Sequence, residues 1–338
     1  MATLKDVSKA SGFSVTTVSR ALNGYDDVNE ETRDKILSIA KELGYSPNIL
    51  ARSLVKKQSK TIGFLVTDLK RESVKDNFMF ETLCGVSDEL TKLDYEFVLL
   101  STTTSKQKNK TYGQMCAERQ LDGVVIQGLK RDDPYLLEAI ESTVPCVLVD
   151  IPIAGVNTGY VTSNQLESAK QAVRYLLRLG HRHVAFMNGS PHAYVSSVRY
   201  DAYRQVLQES GIDAFDDYVL NGDFNEHAAK EVALPFLLNH PEVTAIFCAS
   251  DVMALGVLQA TRELGLNVPE DLSIIGFDNI LLSQYVSPPL TTIGQKPYEM
   301  GRAAAEMVVH IVEGKDVPHE AFVNNQLVLR KSVTKNRR

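Results

Sequence analysis

What is missing from this 338-residue chain removes whole classes of function. No run of eighteen apolar residues occurs, and polar helix signals follow Met1 at once, so neither a membrane span nor a secretory leader is expected. The expected location is cytoplasmic. The four cysteines, Cys84, Cys116, Cys146 and Cys248, are widely scattered, with the last two inside apolar runs. That distribution reads as buried free thiols rather than disulfides or metal ligands. His181 and His183 make a tempting pair, but no third ligand follows at zinc spacing, so they read as loop-to-strand residues and no metal or cofactor is expected. The phosphate-cradling pattern G-x-x-x-x-G-K-[ST], a G-x-G-x-x-G after a strand, H-E-x-x-H and G-x-S-x-G are all absent. Ser190 and His192 are separated by Pro191, a poor arrangement for a nucleophile and its base. Catalysis is not expected.

With 44% apolar and 23% charged residues the chain is globular, and its length exceeds one ordinary core, so two or more domains are expected. Charge is unevenly divided between them. Residues 1–60 carry ten Lys/Arg against seven Asp/Glu, a net +3 in a chain of net −6, which leaves −9 for the rest. The only basic excess is therefore N-terminal, as for a unit that meets nucleic acid.

Three short helical patterns fill that unit. Thr3 is a good N-cap with Asp6 three residues on, and Val7 with Ala10 gives an inward stripe that Gly12 ends. Ser14 caps a second helix with Val15, Val18 and Leu22 at helical intervals. A third opens at Asn29 with Glu30 and Glu31, runs through Ile36, Ile39, Ala40 and Leu43, and stops at Gly44. Two short helices separated by Ser11-Gly12-Phe13 make a helix-turn-helix. In that motif the second helix enters the major groove with its N-terminal residues nearest the bases, which points to Val15 and Thr16 as readers whose methyls suit thymine. Arg20, one turn on, can fork onto O6 and N7 of guanine; the bland reading of Arg20 is a solvated surface charge. Thr3, Ser14, Thr17, Ser19 and Asn23 suit phosphate oxygens.

Beyond Lys60, apolar β-rich runs recur at Thr61–Thr67, Tyr95–Ser101, Asp122–Gln127, Pro145–Val149, His183–Asn188, Thr244–Ala249 and Leu272–Phe277, with helical patterns between them. This alternation implies parallel sheets covered on both faces, and residues 61–330 are expected to form two similar α/β lobes. Ligands of such sheets bind beyond the carboxyl ends of the strands, where Asp150, Asp251, Asp278 and Asn279 stand. Asp251 reads more simply as a strand-to-helix cap. Arg199, Asp278 and Phe224 supply the planar donors, acceptors and aromatic face that a sugar needs, although Phe224 also reads as a core aromatic.

The segments Thr3-Leu4-Lys5-Asp6-Val7, Ser14 through Gly24, Gly44-Tyr45-Ser46-Pro47-Asn48 and Ala51-Arg52-Ser53-Leu54 resemble the N-terminal region of the lactose-repressor/galactose-repressor (LacI/GalR) family, and the similarity extends along essentially the whole chain. The resemblance implies an all-α helix-turn-helix head (1–46), a hinge helix and linker (47–60) and a two-lobed periplasmic-binding-protein-like body (61–330). Tyr45 and Asn48 join the expected backbone contacts. Ala51 and Leu54 belong to a hinge that orders on operator DNA, with the leucine wedged into the minor groove; the competing reading of Leu54 is interdomain packing. The chain is expected to cross between lobes near Tyr160, Leu290 and Val323, giving lobe 1 as 61–160 with 291–323 and lobe 2 as 161–290 with 324–330. From Lys331 onward a polar tail is expected. Matched residue by residue, Arg199, Asp278 and Phe224 look like the family's effector clamp, with Gln295, Phe78, Met79, Asp150 and Asn164 lining the cleft. Ser163 and Ser250 depart from the family's usual pattern, so effector identity is not carried over.

The expectation is a homodimeric transcriptional repressor that binds a near-palindromic operator and responds to a sugar or sugar phosphate. Regulation by a nucleobase corepressor or a phosphoprotein partner stays open. A solute-binding receptor for uptake would share the lobes but has no use for the head.

Overall fold

The computed structural model describes residues 2–25, 27–45, 58–67, 69 and 77–337. Contacts divide the chain into two compact units, Met1–Thr61 and Ile62–Arg338.

Local capping chemistry sets the three helices of the first unit, Leu4–Ser11, Val15–Leu22 and Glu30–Glu42. Thr3 and Asp6 form a reciprocal capping box, the Thr3 amide donating to Asp6 Oδ2 at 2.8 Å. Ser14 Oγ accepts from the Thr17 amide at 3.1 Å, and Asn29 Oδ1 from that of Thr32 at 2.8 Å. Gly12 and Gly44 take the left-handed conformation that ends a helix, φ 78° and 62°. Val7, Val18, Ala21, Val28, Ile36 and Ala40 make the core, with Phe13 and Tyr45 packed against it. Ala10 is exposed, contrary to the expected stripe, and Ser11 is buried instead, because the inward face continues four residues on from Val7.

Among the described residues the larger unit is built on twelve strands: β1 (Thr61–Thr67), β2 (Glu96–Thr102), β3 (Gly123–Gln127), β4 (Cys146–Val149), β5 (Thr158–Ser163), β6 (Val184–Asn188), β7 (Val219–Asn221), β8 (Ala245–Cys248), β9 (Ser273–Asp278), β10 (Thr291–Gly294), β11 (Glu320–Val323) and β12 (Gln326–Val328). They form two six-stranded sheets, ordered β11-β5-β4-β3-β1-β2 and β12-β10-β9-β8-β6-β7. The ladders are parallel where β1–β3–β4–β5–β11 and β7–β6–β8–β9–β10 meet, and β12 runs antiparallel to β10. All seven runs expected from the sequence are strands. The five others, β5, β7, β10, β11 and β12, are polar-rich or only a few residues long and show no continuous apolar stretch.

Helices cover both faces of each sheet. In the first lobe, helix Phe78–Lys92 packs on helix Pro297–Val312 in backbone contact: a Cβ on Gly85 would lie 2.1 Å from the Tyr298 carbonyl oxygen, and one on Gly301 2.1 Å from that of Thr82.

Three crossovers join the lobes. The chain leaves the first sheet after Ser163, returns after Gly294 and crosses again between Val323 and Gln326. The first two lie later than the expected Tyr160 and Leu290, because β5 and β10 continue their ladders past those residues. The expected polar tail is also docked: Ser332 is fully buried, its Oγ accepting from the Thr291 amide at 2.8 Å and donating to the Ile274 carbonyl at 2.6 Å. Asn336 N–H reaches the Leu179 carbonyl at 2.8 Å. Among the described residues no helix is long and apolar enough to cross a membrane.

Candidate functional site

Because the strands of both lobes point their carboxyl ends toward one another, the residues that follow them surround a cleft of ≈ 270 Å³, close to the lower end of small-molecule sites. Gln127, Asp150, Ser190, Ser250, Asp278 and Gln295 reach it from the ends of six strands. Phe78, Tyr194, Arg199 and Phe224 add aromatic and basic surface, and Lys130 stands at the wall.

The backbone is strained there. Asp150 (φ 60°), Phe224 (φ 54°), Asp278 (φ 114°) and Asn279 (φ 59°) all take left-handed conformations that disfavour side chains, at a cost of order 1–3 kcal/mol each. Phe224 lies flat over Gly189, where an added Cβ would sit 2.1 Å from the ring.

Arg199, 2% exposed, is the hub of the polar wall. Its Nε and one terminal nitrogen donate to Gln165 Oε1 at 3.0 and 2.8 Å, and the other terminal nitrogen donates to the Ala249 carbonyl. Asp278 lies 4.0 Å away, and the guanidinium sits 3.7 Å from the centre of the Phe277 ring. Gln165 Nε2 donates to Gln295 at 3.0 Å and to Asp150 at 3.2 Å, while Gln295 donates to Asp278 at 2.7 Å. Removal from water raises the Asp150 carboxyl above its ordinary range, opposed by the Thr162 hydroxyl and by Arg199. The wall thus presents fixed carboxylates, amides and a guanidinium beside aromatic faces, which is chemistry for orienting a polar ring.

Six of the eight residues assigned to the cleft from sequence line it: Phe78, Asp150, Arg199, Phe224, Asp278 and Gln295. Two do not. Met79 packs into the first lobe's core, one residue around the helix from Phe78. Asn164 is exposed at the N-cap of helix Gln165–Arg178, and the next residue, Gln165, is the one that turns inward, bonded to Arg199. Lys130 and Tyr194 carry no signal in the sequence, since neither follows a strand directly. Asp251 is not the cap: Ser250 Oγ accepts the Met253 amide at 3.2 Å, whereas Asp251, fully buried, holds the Ile280 amide at 3.0 Å and the Thr292 hydroxyl at 2.6 Å. Burial pushes its carboxyl up to about 7.

In the first unit, Val15 (41% exposed), Thr16 and Arg20 share an open surface with Leu4, Ser19, Asn23 and Tyr25. Thr3, Ser14 and Thr17 are engaged as caps, and Asn23 Nδ2 donates to the Ser19 carbonyl at 2.8 Å. Tyr45 packs on the helix core. Asn48, Ala51 and Leu54 lie outside the described residues.

Residues 3–48 match the family model described as "Bacterial regulatory proteins, lacI family", and 173–333 that of a periplasmic binding protein-like domain. Two proteins named HTH-type transcriptional repressor PurR, from Photobacterium profundum and Histophilus somni (strain 129Pt), are each 33% identical over 335 residues, 98% of this chain and 99% of theirs. The chain belongs to the LacI family of bacterial regulatory proteins. As a LacI-family member it is a DNA-binding regulator of transcription, of the repressor type, with a helix-turn-helix head and an effector-binding α/β body. Among solved LacI-type structures, the transcriptional regulator CelR–cellobiose complex is 29% identical with a TM-score of 0.76, covering 98% of this chain and 100% of that one. The lac repressor dimer bound to operator and the anti-inducer ONPF is 26% identical with a TM-score of 0.83, covering 98% and 99%.

Proposed function

We propose that this repressor acts in the cytoplasm as a homodimer on a near-palindromic operator of a carbohydrate-utilisation operon, and that a small sugar or sugar phosphate in the interlobe cleft releases it from DNA. It carries out no catalysis. In this reading Val15, Thr16 and Arg20 read bases, Leu54 with Ala51 forms the minor-groove hinge, and Arg199, Asp278, Asp150 and Gln295 bind hydroxyls while Phe224 and Phe78 face the ring. The observation that carries the sugar assignment is the row Asp150–Gln165–Gln295–Asp278, closed by Arg199, with the Phe224 ring laid open over Gly189. Adjacent hydroxyls need paired donors and acceptors at fixed spacing, and this row supplies them. The similar regulator CelR, solved as a complex with cellobiose, supports the same reading.

A nucleobase corepressor is the second reading, favoured by relatives named PurR and by the aromatic residues Phe78, Tyr194 and Phe224 in one cleft.

Thermal-shift and calorimetric titration of the full-length protein with monosaccharides, cellobiose, phosphosugars and purines separates the two. A saturable shift with a saccharide, lost in Arg199→Ala while that variant still binds operator DNA, is the expected result. A shift only with purines, accompanied by tighter DNA binding, would replace the sugar reading with the second one.

A further inference from the structure

Arg20 is not a loose surface charge in the helix-turn-helix unit. Its Nε donates to Asp27 Oδ1 at 3.1 Å, and one terminal nitrogen meets Asp27 Oδ2 at 2.5 Å. The guanidinium also lies over the Tyr25 ring, 5.2 Å from its centre. This side-on pairing occupies one edge of the guanidinium fork, and the edge formed by the two terminal nitrogens is the one that fits O6 and N7 of guanine. The turn that carries Asp27 is tied to the third helix, because Arg33 of helix Glu30–Glu42 donates to the Tyr25 carbonyl at 2.7 Å and the Val28 amide closes back on that carbonyl at 3.3 Å. The side chains of Arg20 and Asp27 remain 46% and 50% exposed, so the pair adds little to stability, and its consequence lies in where it holds the fork.

We infer that Asp27 is a specificity-determining positioning residue: it fixes Arg20 side-on, so that the arginine reads guanine end-on, and its carboxylate keeps Arg20 from spending its charge on phosphates of unrelated sequence. The inference rests on Arg20 being a base reader. Without Asp27 the fork rotates freely, takes whichever phosphate is nearest and loses its preference. Affinity for non-operator duplex then rises while discrimination at one base pair in each half-site falls.

The test is selection by the full-length protein from a duplex library randomised over about two helical turns, followed by affinities of the recovered duplex and of its single-base variants. Wild type is expected to prefer guanine at one symmetric position, and Arg20→Ala to lose that preference. Asp27→Asn and Asp27→Ala should reduce it about fivefold or more at that position alone, leaving the Val15 and Thr16 positions unchanged. They should also bind non-operator DNA more tightly, with a salt dependence steeper by about one ion. Asp27→Glu, which keeps the carboxylate, should recover part of the preference. If Arg20→Ala loses the guanine preference but both Asp27 variants keep it within twofold, the positioning role is overturned and the reader stands. If Arg20→Ala changes no base preference, the reader assignment falls and the inference falls with it.

Discussion

Gln165 Oε1 accepts two hydrogen bonds from Arg199, at 3.0 and 2.8 Å, so that the cleft arginine is clamped to the first residue of the helix after the first crossover. The same glutamine donates to Gln295 on the second crossover. Ser163 Oγ donates to Gln295 at 2.9 Å and accepts from Asn325 Nδ2, on the third crossover, at 2.9 Å. One chain of buried and half-buried polar side chains therefore runs from the effector cleft through all three connections between the lobes. A ligand that takes Arg199 as a donor competes directly with those bonds, and a change of about 1–3 kcal/mol in such a balance is the ordinary scale of allosteric coupling.

Gln165→Leu removes the shared acceptor while keeping a side chain of similar bulk. Stability is expected to fall by about 1–3 kcal/mol, the penalty of leaving buried donors unpaired. Effector-driven release of operator DNA should weaken at least tenfold in effector concentration, with effector-free operator affinity within about threefold of wild type. Fluorescence anisotropy of labelled operator reads both quantities, and an unchanged release curve would remove Gln165 from the coupling path.

Gly189→Ala tests the aromatic face. The added methyl would lie 2.1 Å from the Phe224 ring, which must then swing away from the cleft floor. Effector affinity should fall at least tenfold by calorimetry, with operator binding retained. Undiminished affinity would mean that the ring is packing alone.

Asp251 gives a pH dependence whose sign follows from its burial. Its carboxyl stays protonated in the folded protein up to about 7, whereas the unfolded chain releases that proton near 3.8. The group's contribution to stability is therefore complete below about pH 4 and is lost as pH rises through 7. Asp251→Asn does not titrate and keeps an acceptor for the Ile280 amide. Its stability relative to wild type should improve by on the order of 3 kcal/mol between pH 5 and pH 8, measured by urea unfolding. A constant difference across that range would show that the carboxyl titrates normally.

Ser332→Ala distinguishes a docked terminus from a free one. The Thr291 amide loses its buried acceptor, which should cost about 1–3 kcal/mol and lower the melting temperature by several degrees. An unchanged melting curve would return residues after Arg330 to the status of a tail.

Short-range chemistry was legible in the sequence. Caps at Thr3, Ser14 and Asn29, the glycine stops at Gly12 and Gly44, seven apolar strands and the polar residues that follow them each depend on neighbours within about one helical turn or one strand length. Asp150 and Asp278 could be singled out because a residue just past a parallel strand must face the ligand side of its sheet. Where one residue of rotation decides the outcome, local pattern failed: Gln165 rather than Asn164 turns inward to bond Arg199, and of the expected pair Phe78 and Met79 only Phe78 lines the cleft.

Sequence by itself determined the kind of protein: a small basic three-helix unit joined to a larger acidic α/β body with polar groups at its strand ends. Tertiary structure alone decided that Asp27 holds Arg20, that Ser332 lies under β9 and β10, and that Gln165 joins Arg199 to Gln295. The physical reason is range. Backbone propensity and periodicity act between neighbours in the chain, whereas a buried guanidinium takes whichever acceptor the packed lobes bring within about 3 Å, and that choice is made only after the strands, helices and crossovers have closed around it.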